Sequence, residues 1–157
     1  MSAMEYLVWK WLHILSSTLL FGTGLGSAYY MFFASRSRDP RTIATVTGHV
    51  VIADWLFTTT TIVFQPLSGW RMAVLAGIPL TTPWILWSIV LYLLAGACWL
   101  PVVWMQIRMR DMARAAVREG RPMPDQYYHY LKVWTALGFP AFFALVAVFW
   151  LMVAKPT

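Results

Sequence analysis

The stretch WKWLHILSSTLLFGTGLGSAYY, residues 9–30, is an apolar run of membrane length with a histidine near one end and three alternating glycines near the other. A helix needs about 20 predominantly apolar residues to cross a hydrocarbon core, and in lipid it must close its own backbone hydrogen bonds. The run therefore predicts a membrane-spanning helix, and its polar residues pose the functional question. At about 100° per residue, His13 shares a face with Ser17, Leu20, Gly24 and Ser27, with Ser16 and Thr23 at its margins. That face is small and polar and should point into a bundle. Thr18, Gly22 and Gly26 form a second stripe on nearly the opposite side. Small residues four apart let two helix backbones approach closely, within the bundle or between two copies, so a homo-oligomer is expected.

Working outward, the whole chain has the same character. Of its 157 residues 60% are hydrophobic and only 11% charged, whereas about a quarter are charged in a soluble domain. Runs at about 6–34, 42–65, 83–107 and 133–154 are each long enough to span. They predict one all-α domain over 1–157, a four-helix transmembrane bundle embedded in a lipid bilayer. The first run is too long for a signal-peptide core and is flanked by Glu5 as well as Lys10, so it is read as a retained span. Cys98 stands alone and permits no intramolecular disulfide.

Charge sets the expected orientation. The 1–2 loop carries Arg36, Arg38 and Arg41, and the 3–4 connection carries Arg108, Arg110, Arg114, Arg118, Arg121 and Lys132, against Lys10, Arg71 and Lys155 elsewhere. The basic loops should face the cytoplasm of a bacterial inner membrane, with both termini periplasmic. The net charge of +6 is thus a matter of topology rather than nucleic-acid binding. Residues 108–120 read as a basic helix that prolongs the third span or bends onto the anionic leaflet, ending at Gly120. Residues 66–77, opening with Pro66, read as a short outer interfacial helix. Pro101 and Pro140 should kink the third and fourth spans.

Within the spans, Asp54 is the one acid far from either surface, and Thr47, Thr58, Thr61 and Gln65 continue its face. Ionisable residues at such depth are costly and often functional. Asp54 is therefore either a proton carrier, a polar anchor for a bound group, or a hydrogen-bonded packing residue. His13 above a run of small residues suits a planar macrocycle, because imidazole binds iron while glycine and serine leave room for a ring. Two histidines cannot share that iron: at ~1.5 Å per residue, His13 lies ~30 Å from the cytoplasmic end of its helix and His49 only ~10 Å from the same end of its own. His129, at the inner boundary, is worse placed. Met152 stands at a suitable level, although methionines in membrane proteins mostly fill cores. There is no HExxH, CxxC or phosphate-binding glycine loop following a strand.

The blocks WLHILSSTLLFGTGLGSAYYM, IADWLF with QPLSGW after it, and LYLLAGACWLPVVWMQIRMRDMARAA resemble an uncharacterised family of bacterial integral membrane proteins, over about residues 6–156. More distantly the plan resembles the copper-resistance-D and HemJ-type protoporphyrinogen oxidase group, in its first helix opening Lys-x-x-His, its second helix leading to Gly-Trp and its third opening with tryptophan. The resemblance implies haem b bound through His13. It departs at the third helix, where the HemJ-type Trp-x-His-x-Lys becomes WILWS, with Leu86 and Ser88 at the His and Lys positions. Porphyrinogen oxidation is therefore not expected, and no His/Met cluster is present to take up copper.

The expected function is a membrane-embedded haem b protein with a redox or electron-transfer role. His13 is the iron ligand, Ser17 and Gly24 give the ring room, Asp54 contributes a hydrogen bond or proton route, and quinone or a periplasmic donor is the electron partner. The alternatives are a cofactor-free interaction or assembly protein and a small-solute or proton transporter.

Overall fold

The computed structural model describes residues 3–156 and is all-helical over them. Helix α1 spans Ala3–Arg36, α2 Pro40–Ala53, α3 Thr59–Ala76, α4 Pro83–Glu119 and α5 Asp125–Ala154. A single wide π turn, Asp54–Thr58, joins α2 to α3, so Pro40–Ala76 is one continuous 37-residue rod. Four rods thus run antiparallel. One end of the bundle carries the connections 37–39 and 120–124, flanked by arginines on the adjoining helix ends, and is called here the basic end. The other carries the 77–82 turn and both ends of the described residues.

The turns follow from local chemistry. Asp39 caps α2, its carboxylate accepting from the Arg41 and Thr42 backbone N–H groups at 3.3 and 2.9 Å and from the Thr42 hydroxyl at 2.6 Å. Pro40 follows at the first helical position, where a missing N–H costs nothing. Gly77 and Gly120 end α3 and α4 in the left-handed conformation, φ 66° and 62°, which glycine adopts without strain.

The bundle inverts the pattern of a soluble protein. Large apolar side chains point outward, with Leu93, Leu100, Trp150 and Val153 65–79% exposed, while His13, Ser16, Thr47, Asp54, Thr58, Thr61, Gln65, Ser68, Ser88 and Gln106 are buried. Such an exterior is stable against acyl chains and not against water. Three rods, Pro40–Ala76, Pro83–Glu119 and Asp125–Ala154, are each long and apolar enough to cross a membrane. The 34-residue α1 is not among them, its middle being diluted by serine, threonine and glycine.

Packing is uneven along the axis. Met31, Ile43, Val50, Met105, Met109, Ala113, Ala116, Met123, Tyr127 and Trp134 form an apolar core at the basic end. There α2 meets α4, and α4 lies along α5. Nearer the other end the interior is polar. Helix α1 lies along α2 and α3 and touches α5 lightly, through Phe21, whose ring centre is 5.3 Å from that of Phe142 and 5.4 Å from that of Phe149.

One expected feature is corrected. Residues 66–77 are not a separate interfacial helix, because α3 runs through Pro66 to Ala76. Proline at 66 deprives the Ile62 carbonyl of its usual N–H donor, and the Tyr92 hydroxyl of α4 supplies a replacement at 2.8 Å. Residues 108–120 take the first of the two forms expected of them and prolong the third span: α4 continues from Pro83 through Pro101 to Glu119.

The Tyr92 bond yields a paired prediction. Tyr92→Phe should lower thermal stability in detergent by about 1–2 kcal/mol, because a carbonyl in an apolar setting loses its donor. In a Pro66→Ala background, where an N–H at 66 again reaches Ile62, the same change should cost less than half as much; equal costs in both backgrounds would refute the compensation.

At the basic end, the Thr42 hydroxyl and backbone N–H hold the Asp39 carboxyl below its ordinary value of 3.8. The cap's contribution should be complete above that value and fade as pH falls toward the depressed folded-state value. Melting curves on the acid side of pH 4 should therefore converge for wild type and Asp39→Ala, and separate above it.

Candidate functional site

The α1–α3 seam is built from three successive contacts. Glu5 pairs with Arg71 near the chain ends. One turn inward Trp9 stacks on Phe64, centroids 6.2 Å apart. A further turn inward the His13 ring, buried, meets Ser68. Gln65 donates its side-chain N–H to the His13 carbonyl at 2.9 Å. A Cβ added at Gly69 would stand 3.5 Å from His13 Cε1, so the imidazole edge packs against bare backbone.

The hydrogen bonds around Ser68 determine the state of the ring. Its hydroxyl donates to its own helix, to the Phe64 carbonyl at 2.8 Å and the Gln65 carbonyl at 3.1 Å. A hydroxyl has one proton. Where that proton stays on the carbonyls, the 2.7 Å contact between His13 Nδ1 and Ser68 Oγ has the imidazole as donor, and neutral His13 carries its hydrogen on Nδ1 and its lone pair on Nε2. A ring held through one nitrogen with the other bare is the arrangement a metal-bound histidine takes. One turn along α1, the Ser16 hydroxyl is buried with no hydrogen-bond partner among the described residues.

The four residues expected to form one site are separated. Ser17 is half-buried and its hydroxyl bonds back to the Ile14 carbonyl at 2.8 Å. Gly24 is exposed, with nothing within 4 Å of where a Cβ would be. Asp54 is buried, but Ser68 is fourteen residues further along the same rod, ~21 Å at helical rise. It faces the other way in function, accepting from the Thr58 hydroxyl at 2.8 Å and lining, with Gln106 of α4, a narrow gap between the second and third rods. The buried Gln106 Oε1 has no partner among the described residues. His49 and His129 are exposed at the basic end.

The polar track is real as a buried stripe: Thr47, Asp54, Thr58, Thr61, Gln65 and Ser68 all face inward. Thr47, Thr61 and Ser68 donate to the Ile43, Phe57 and Phe64 carbonyls of their own helix, while the Thr58 hydroxyl donates to the Asp54 carboxylate. Sequence reading missed the π turn, although DWLFTTTT carries its signal. In a wide turn the Thr59 N–H reaches back five residues to Asp54 O. Hydroxyls of Thr59, Thr60 and Thr61 donate to the Asp54, Leu56 and Phe57 carbonyls. A run of threonines supplies the donors that lipid cannot. Turns of this kind concentrate at functional sites.

The fit of a haem follows from the donor chemistry. Among the described residues no three His, Cys, Asp or Glu side chains come together. A metal at His13 would thus need a scaffold that brings most of its own donors, as a porphyrin does. His13 and Ser68 fit the ligand role, Ser16 and Gly69 border it, and Gly24 and Asp54 lie outside it.

Residues 7–156 match the model of a family described as predicted integral membrane protein, DUF2269, and the chain belongs to that family. No curated protein and no solved structure matches it.

The assignment of the ring is directly measurable. In protein carrying ¹⁵N-labelled histidine, His13 at neutral pH should give the Nδ1–H signature, and Ser68→Ala should convert it to a tautomer mixture while His49 and His129 stay unchanged. A wild-type ring with hydrogen on Nε2 would contradict the hydrogen-bond directions.

Proposed function

We propose that this protein is a membrane-embedded haem b protein with a redox or electron-transfer role, and that His13 Nε2 is its iron ligand. The observation that carries the reading is the 2.7 Å contact of the buried His13 Nδ1 with Ser68 Oγ: a Ser68 proton directed to the α3 carbonyls would hold the ring as the Nδ1–H tautomer and leave Nε2 for iron. A bound haem b would supply one-electron exchange between ferrous and ferric iron. The chain's part is to present a basic nitrogen from a fixed ring, to keep that ring from water, and to offer the unpartnered Ser16 hydroxyl beside it. Asp54 acts in this reading as a packing residue at the π turn, distant from the ligand.

In the same reading α1 is the fourth span, both ends of the chain are periplasmic, and electrons pass to or from quinone or a periplasmic donor. Nine basic residues in the two basic-end connections and the helix ends that flank them support that orientation. The Thr18/Gly22/Gly26 stripe supports a dimer: positions 22 and 26 have nothing within 4 Å of an added Cβ, leaving backbone open to a second helix. A cofactor-free assembly protein is the second reading, favoured by the fact that Ser68 and Gln65 already bind α1 to α3 without any ligand.

Visible spectroscopy separates the two. Protein purified in detergent from haem-replete cells should show a Soret band, lost in His13→Ala and retained in His49→Ala. Ser68→Ala should keep the fold and reduce haem retention about 10-fold or more, the usual cost of removing a ligand's orienting partner. Colourless, folded wild-type protein would reject the haem reading and leave the assembly role.

A further inference from the structure

At the basic end, away from His13, the closing of α4 onto α5 leaves a cleft of about 240 Å³, roughly eight water volumes. Its polar wall is Arg108 and Asp111 of α4, Arg121 of the connection, and Gln126 and Tyr130 of α5, over an apolar floor that includes Met112. The spacing explains the convergence. Residues 108, 111, 112 and 115 recur on one face of α4, residues 126 and 130 on one face of α5, and left-handed Gly120 turns the chain so that Arg121 closes the rim.

The cleft sits where hydrocarbon gives way to charge. Immediately inward, Trp104 packs edge-on to Tyr130, centroids 5.7 Å apart, and the Arg108 guanidinium lies over the Trp104 ring at 5.8 Å. Tryptophan and tyrosine of this kind mark the headgroup level. From 108 to 121 the chain carries five arginines against Asp111 and Glu119, a balance of 5 − 2 = +3. The acids are already engaged, Asp111 with Arg110 and Glu119 with Arg121. Arg108 has no ion pair among the described residues and keeps its donors free. Gln126 and Tyr130, joined at 3.3 Å, add amide and hydroxyl groups.

We infer that this cleft binds the phosphodiester headgroup of an anionic phospholipid whose head carries hydroxyls, as phosphatidylglycerol does. Two guanidinium groups match phosphate oxygens in a bidentate manner. The Asp111 carboxylate, which would oppose a bare anion, accepts from a headgroup hydroxyl. Trp104 and Met112 lie beside the first carbons of the acyl chains. Basic pockets between spanning helices are suited to such heads, and the shared chemistry, phosphate, is also that of inorganic phosphate.

Native mass spectrometry of the detergent-solubilised full chain, titrated with phosphatidylglycerol, phosphatidylcholine or phosphatidic acid, tests the assignment. Wild type should retain phosphatidylglycerol over phosphatidylcholine by about 10-fold. Arg108→Gln with Arg121→Gln should abolish that preference. Arg118→Gln, which changes charge outside the cleft, should preserve it. Asp111→Asn should erase the preference for phosphatidylglycerol over phosphatidic acid. Equal retention of all three lipids, equal loss in the Arg118 variant, or displacement of the lipid by millimolar inorganic phosphate would each overturn the inference. A helical far-UV spectrum in every variant keeps misfolding from counting as support.

Discussion

A polar face inside a membrane must be satisfied by protein, and in this chain that constraint falls on the rod Pro40–Ala76. Its inward residues from Asp54 to Ser68 are almost all polar, and none can be left to acyl chains. Two solutions are used together. Hydroxyls turn back onto carbonyls of their own helix, which neutralises them individually. The groups that remain, above all Gln65 and Ser68, are covered by α1, whose carbonyl and imidazole at His13 accept and donate in return. Helix α1 thus meets the polar rod through polar groups of its own, and its middle carries no run as apolar as those of the other three rods.

The same constraint divides the bundle lengthwise. At the basic end methionine, alanine and isoleucine pack together, and the Tyr127 and Ser35 hydroxyls share a hydrogen bond at 2.6 Å, tying α5 to α1. Toward the other end α3 has α1 as its main neighbour, with the Tyr92 bond reaching across from α4. The apolar packing at one end thus gives way to more polar packing at the other. The two irregularities of the second rod, the π turn and Pro66, both release carbonyls, and in both cases a hydroxyl replaces the missing N–H.

The two ends also differ in the chemistry they offer. One presents a buried imidazole in the α1–α3 seam. The other presents guanidinium groups around a cleft between α4 and α5. They share no residues, so a substitution in one should leave the other intact.

The sequence by itself determined the class: four helical rods, their approximate limits, the basic end and the inward placement of His13 and Asp54, because hydropathy, charge and 3.6-residue periodicity are local properties. It marked Ser17 and Gly24 as His13's companions because they share its helix face at ideal geometry. What it could not supply was the partner across the seam. That Ser68 meets the His13 imidazole, that the Tyr92 hydroxyl reaches the Ile62 carbonyl beside Pro66, and that Asp54 lines a gap with Gln106 depend on how separate helices align in height. Arg108, Arg121 and Gln126 likewise read as scattered polar residues until the α4–α5 hairpin closes. Register between rods is set by side-chain contacts across tens of residues of chain, and only the tertiary structure decides it.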